Sequence, residues 1–186
     1  MKSIEDQMSF YAAYHQDARN KATHFIGVPA IMLSLFIPFA WIRLDVGGVT
    51  LTAAMLFAAV VLVYYFVLDA PLALAMLVVT GVLVWIGHQI AQLGAAQAWI
   101  WFAVLFGGGW ILQLVGHVFE GRKPALADNL FQIFVAPIFL AAEVFFALGY
   151  KPHLHQKVQR LALEMRGKWG QSSYPADDGR AVTPHS

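Results

Sequence analysis

Pro71–Leu93 reads PLALAMLVVTGVLVWIGHQIAQL, and this stretch decides the fold. It contains no Asp, Glu, Lys or Arg. As a helix rising about 1.5 Å per residue, it is long enough to cross an apolar layer of about 30 Å. Four similar runs flank it: His24–Ile42, Thr50–Leu68, Ala98–Val115 and Leu130–Leu148. The links between runs are short, and only His117–Asn129 is a polar segment of any length. Of the 186 residues, 59% are hydrophobic and 12% charged, about half the charged fraction of a soluble domain. Lipid is therefore the expected solvent for most of the surface.

Other classes fall away on composition. A formal net charge of +1 gives no reason to expect a nucleic-acid partner. With no cysteine, disulfides, thiolate metal sites and cysteine nucleophiles are excluded. The start of the chain lacks a basic stretch followed by an apolar one, so a cleaved signal peptide is not expected. Instead, residues 4–21 predict a helix with Phe10, Tyr11 and Tyr14 set among Glu5, Asp6, His15, Asp17 and Arg19. It is too polar to span and suits the membrane interface.

The fold expected is an all-α, polytopic membrane helical bundle with an N-terminal interfacial helix. Lys and Arg near span ends favour the cytoplasmic side. Arg19 and Lys21, Arg122 and Lys123, and the stretch after Tyr150 are the positive segments. Starting inside, four crossings bring the chain back inside at His117. A fifth would put the most basic segment outside, and the last run also carries Gln132, Pro137 and Glu143, which are costly or disruptive in lipid. Four full spans plus a re-entrant or fifth helix are predicted, with the N-terminus cytoplasmic. Residues 1–150 read as a single membrane-embedded domain. Residues 151–186 read as a basic cytoplasmic tail, its end SSYPADDGRAVTPHS disordered. The location implied is a bacterial inner membrane, or the endoplasmic reticulum in a eukaryote. Nothing in the sequence sets the oligomeric state.

The chemistry gathers at one face. His15 lies in the interfacial helix, His24 opens the first span and His117 closes the fourth, so this topology brings all three to the same side. Because His15 and His24 are nine residues apart, an unbroken helix would point them to opposite sides; a bend is predicted around Asp17–Thr23. Gln113, His117 and Glu120 share one helical face, and a His and a Glu three apart can chelate metal in a bundle. Alternatively, Glu120 pairs with Arg122 or Lys123. Asn20 precedes His24 by one turn and is placed to orient it. Glu143, inside the last run, needs a partner: a metal, a ligand histidine, Arg43 or a tail lysine. Imidazoles with a carboxylate and no sulfur suit Fe(II) or, less specifically, Zn(II). His88, in the third run, has no assigned role.

Tyr14-His15, Asn20, His24, Gly27 and Pro29, then Gln113, Gly116-His117, Phe119-Glu120, Lys123-Pro124-Ala125-Leu126 and Asn129, and finally Ala136-Pro137 with Glu143 form a pattern. It resembles the 2-hydroxy fatty acid dioxygenase family over roughly residues 8–151. The resemblance implies an Fe(2+)-dependent membrane enzyme of α-oxidation, taking dioxygen and a long-chain 2-hydroxy fatty acid to a product one carbon shorter. It makes His15, His24 and His117 candidate iron ligands, with Glu120 a ligand or a base and Glu143 a further candidate. Arg122 or Lys123 would suit the substrate carboxylate, with Asn20 and Gln113 also candidate substrate-binding residues, while the acyl chain lies among the spans. Two readings from other classes stand beside it: a non-catalytic lipid-binding or transport protein, and a haem-binding membrane protein using two histidines. A zinc hydrolase is more distant.

Overall fold

The structure is a computed structural model and describes residues 3–172. Among the described residues seven α-helices carry the fold: α1 (Ile4–Ala13), α2 (Ala18–Phe39), α3 (Ala53–Leu68), α4 (Ala70–Ala91), α5 (Ala95–Glu120), α6 (Gln132–Ala147) and α7 (Pro152–Ser172). A small antiparallel hairpin of β1 (Arg43–Val46) and β2 (Val49–Thr52) joins α2 to α3. The chain is thus an all-helical bundle of membrane type. Large apolar side chains along α4 and α5 face outward, among them Val78, Trp85, Ile111 and Val118, the last 77% exposed. A surface of that kind belongs in lipid.

The span count differs from the sequence expectation of four or five. Among the described residues three helices, α2, α4 and α5, are long and apolar enough to cross a membrane, at 22, 22 and 26 residues. α3 and α6 have 16 residues each, about 24 Å of helix against an apolar layer of about 30 Å. The reason is local. The hairpin takes Thr50–Thr52 from the second run, with Gly47-Gly48 turning between Val46 and Val49. Thr52 then caps α3, its hydroxyl accepting from the Met55 amide at 3.3 Å. At the other end Asp69 stops α3 and caps α4, accepting from the Leu72 amide at 3.0 Å. In the last run, Leu130 and Phe131 lie in a turn before α6, and α6 is buried on most of its sides by α1, α2 and α4.

α2 and α5 form the principal packing pair, running in opposite directions so that the start of α2 meets the end of α5. Gly116 permits this closeness: a β-carbon there would stand 2.2 Å from Thr23 Oγ1 and 2.4 Å from Asn20 Oδ1. At the opposite end Trp41 donates its indole N–H to the Ala91 carbonyl at 3.2 Å, closing α2 onto α4.

α1 is not laid open on the bundle. A Ser3–Asp6 capping box starts it, and Met8, Ala12 and Ala13 are fully buried between α6 and α7. α7 is the described part of the basic segment after Tyr150, and its Val158 and Ala162 are fully buried in the same core. The C-terminal stretch expected to be disordered lies outside the described residues apart from its first residue, Ser172, which ends α7.

Candidate metal centre

His15 sits in the elbow between α1 and α2, His24 on the second turn of α2, and His117 on the last turn of α5. The elbow comes earlier than predicted, at Tyr14–Asp17, because Asp17 caps α2 by accepting from the Arg19 amide at 2.8 Å. The three rings meet. Their centroids are 4.5 Å (His15–His24), 4.9 Å (His15–His117) and 5.1 Å (His24–His117) apart. One ring nitrogen from each lies within 4.8 Å of the others, and all three residues are buried.

Hydrogen bonds fix which nitrogens face the centre. His15 Nδ1 lies 2.7 Å from the Tyr11 carbonyl and His24 Nδ1 2.9 Å from the Asn20 carbonyl. A carbonyl only accepts, so each Nδ1 carries the hydrogen and each Nε2 presents a bare lone pair. Those two Nε2 atoms are 3.1 Å apart. Two lone pairs at that distance repel unless a cation lies between them. Two metal–nitrogen bonds of about 2.1 Å meeting near a right angle separate their nitrogens by about 3.0 Å. His117 Nδ1 is buried with no hydrogen-bond partner among the described residues. The three side chains therefore fit a divalent metal ion. His15 stacks flat on Tyr11, centroids 4.0 Å apart. Burial, and after it the neighbouring His24, pushes the His15 pKa well below its ordinary 6.5, so the ring is neutral as a ligand must be.

Neither candidate carboxylate joins this group. Glu120 Oε2 accepts from the amides of Gln16 (2.9 Å) and Asp17 (2.7 Å) and from Asn20 Nδ2 (3.2 Å), and Oε1 accepts from Arg166. Its helix brings it to the elbow's free N–H groups, and these take up the oxygens that the His–Glu spacing suggested for a metal. Glu143 is held in an ion pair with Lys21 at 2.8 Å, a partner absent from the expected set of Arg43 or tail lysines.

The rings open into a cavity of about 220 Å³. Val28, Met32 and Phe36 of α2, with Ala58 and Tyr65 of α3, line it beyond His24. Of the four substrate-binding candidates only Gln113 lines this cavity. Its Nε2 is buried without a partner, in room left because a β-carbon at Gly27 would stand 2.3 Å away. Arg122 and Lys123 border a separate depression: Lys123 pairs with Asp128 at 2.5 Å and Arg122 lies 5.3 Å from the Trp169 ring. Asn20 supports from behind, its Nδ2 also donating to the Tyr14 carbonyl at 3.2 Å. Sequence reasoning missed Tyr11 and Arg166 as parts of this site. Tyr11 was legible as the residue one helical turn before His15; nothing marks Arg166 among the other basic residues of its segment.

Fold and site together define a helical membrane protein with a buried cluster of three histidines lining an apolar cavity. The chain belongs to the Mpo1-like family, whose model, described as 2-hydroxy-palmitic acid dioxygenase Mpo1-like, matches residues 1–148. It is 34% identical over 160 residues to the 2-hydroxy-palmitic acid dioxygenase MPO1 of Saccharomyces cerevisiae, an alignment covering 81% of this chain and 84% of that one. No solved structure matches.

Proposed function

We propose that this protein is an Fe(II)-dependent membrane dioxygenase that shortens long-chain 2-hydroxy fatty acids by one carbon. The observation that carries the reading is the pair of bare Nε2 atoms 3.1 Å apart, with a third imidazole beside them, in the lining of an apolar cavity. The family membership and the yeast relative's activity support the substrate class. Three neutral nitrogen donors leave positions free for substrate and dioxygen, as non-haem iron oxygenases require. A bis-histidine haem fits poorly, since 3.1 Å between the nitrogens leaves no gap for a macrocycle.

The reaction balances without an added reductant: one 2-hydroxy acid and one dioxygen give the shorter acid, carbon dioxide and water, breaking the C1–C2 bond. Iron bound by His15, His24 and His117 would supply the one-electron chemistry that lets dioxygen react with a closed-shell acid. The protein's own part is placement. The Tyr11 and Asn20 carbonyls lock the two imidazole tautomers, so the donor atoms need no rearrangement. Gln113 Nε2, a turn before His117, donates to a head-group oxygen of the substrate and is thereby satisfied. The apolar walls hold the alkyl chain along α2 and keep water from the head group. From His24 to Phe36 that wall runs twelve residues, about 18 Å of helix, a depth suited to a long chain. The positive residues at this end, Arg19, Lys21 and those of α7, favour a cytoplasmic position for it.

The test is anaerobic reconstitution with Fe(II), followed by oxygen and a 2-hydroxy C16 acid. A C15 acid and one carbon dioxide per oxygen consumed are expected. Failure to form a shortened acid from any of several chain lengths, in protein loaded with iron, would remove the catalytic reading.

A further inference from the structure

Glu120 ends α5 with its side chain 1% exposed. A carboxylate so deeply buried is costly unless charge and hydrogen bonds compensate it. The compensation comes from separate parts of the chain. Gln16 and Asp17 follow His15 directly and donate their amides. Asn20, whose carbonyl fixes His24, donates its side chain. Glu120 itself lies one turn beyond His117. One carboxylate thus ties together the segments that carry the three imidazoles.

Among the described residues its only charged partner is Arg166 of α7, whose Nη1 also donates to the Ala13 carbonyl, in the last turn of α1, at 3.2 Å. That carbonyl precedes the elbow holding His15. Arg166 lies beyond the residues matched by the family model, and nothing in the sequence singled it out.

We infer that Arg166 is a positioning residue of the metal centre. It neutralises buried Glu120 and grips the end of α1, so that α7 fixes the elbow on which His15 is presented. The inference rests on the metal-centre reading but not on which metal or substrate is used.

Full-length protein in detergent, stripped of metal and titrated with Co(II) against a competing chelator, tests it. Co(II) serves as a spectroscopic probe whose visible bands report ligand geometry. Arg166→Met is expected to weaken Co(II) binding about 10–100-fold, the usual effect of losing a group that orients ligands, and to alter the bands. Arg166→Lys keeps the charge and is expected to recover most of the affinity. Arg166→Met combined with Glu120→Gln is expected to bind better than Arg166→Met alone, because no buried charge is then left unpaired. Val158→Ala, a core change in α7, controls for general loosening: it lowers thermal stability and leaves the bands in place. Wild-type affinity and spectrum in Arg166→Met, or a double variant no better than the single, would overturn the inference. Absence of Co(II) binding by the wild type would instead remove the metal-centre reading, and this inference with it.

Discussion

His117→Ala protein, purified after expression with iron, is expected to hold far less than one iron per chain and to form no shortened acid. His117 is one of only three side chains among the described residues placed to share an ion. Its Nδ1 hydrogen-bonds no group among the described residues, so that nitrogen is not already committed to a neighbour. Truncation removes a ligating nitrogen, and stability should fall by only about 1–3 kcal/mol. Losing a ligand outright should exceed the roughly 10–100-fold effect of losing an outer partner. Metal analysis beside thermal unfolding separates the two effects. An Ala variant that keeps one iron per chain would mean that the three rings are not a chelate.

The second large effect concerns chain length. Ala58 is buried on α3 and lines the cavity next to Phe36 of α2. Tyr65, two turns along the same helix, donates its hydroxyl to the Phe134 carbonyl at 2.7 Å and marks the metal end. Ala58 therefore stands toward the far end, where the tail of a long acid would lie. Ala58→Phe should fill that space. A methylene's worth of space in an apolar pocket is worth about 10–200-fold in kcat/KM, so a 2-hydroxy C16 acid should lose at least that much. A short homologue that stops before Ala58 should keep its rate. The ratio of kcat/KM values across C10 to C18 acids measures this directly, and an unchanged profile would show that the alkyl chain lies elsewhere.

The membrane class and the convergence of His15, His24 and His117 were both legible, because hydropathy and span counting act over whole segments. Element ends were less so. Val-Gly-Gly-Val at 46–49 is a short-hairpin signal, yet between two apolar runs it reads as a bare link. The carboxylates show the limit of local spacing. Glu120, three residues after His117, lies on the same helical face, but four donors gathered from the elbow, the first turn of α2 and α7 take its oxygens. Charge alone does not locate the cavity: Arg122 and Lys123, the obvious partners for a substrate carboxylate, border a separate depression, while the neutral Gln113 lines the cavity itself. The burial of α1 depends on an apolar stripe of α7 some 150 residues later, which no local window contains.

The contact of α1 with α7 has a consequence for how the protein comes into being. Because α1 packs on α7, the elbow that carries His15 is fully packed only once α7 has been made. A chain stopped before α7 is therefore expected to present the three imidazoles without the support that Arg166 gives to Glu120 and the end of α1.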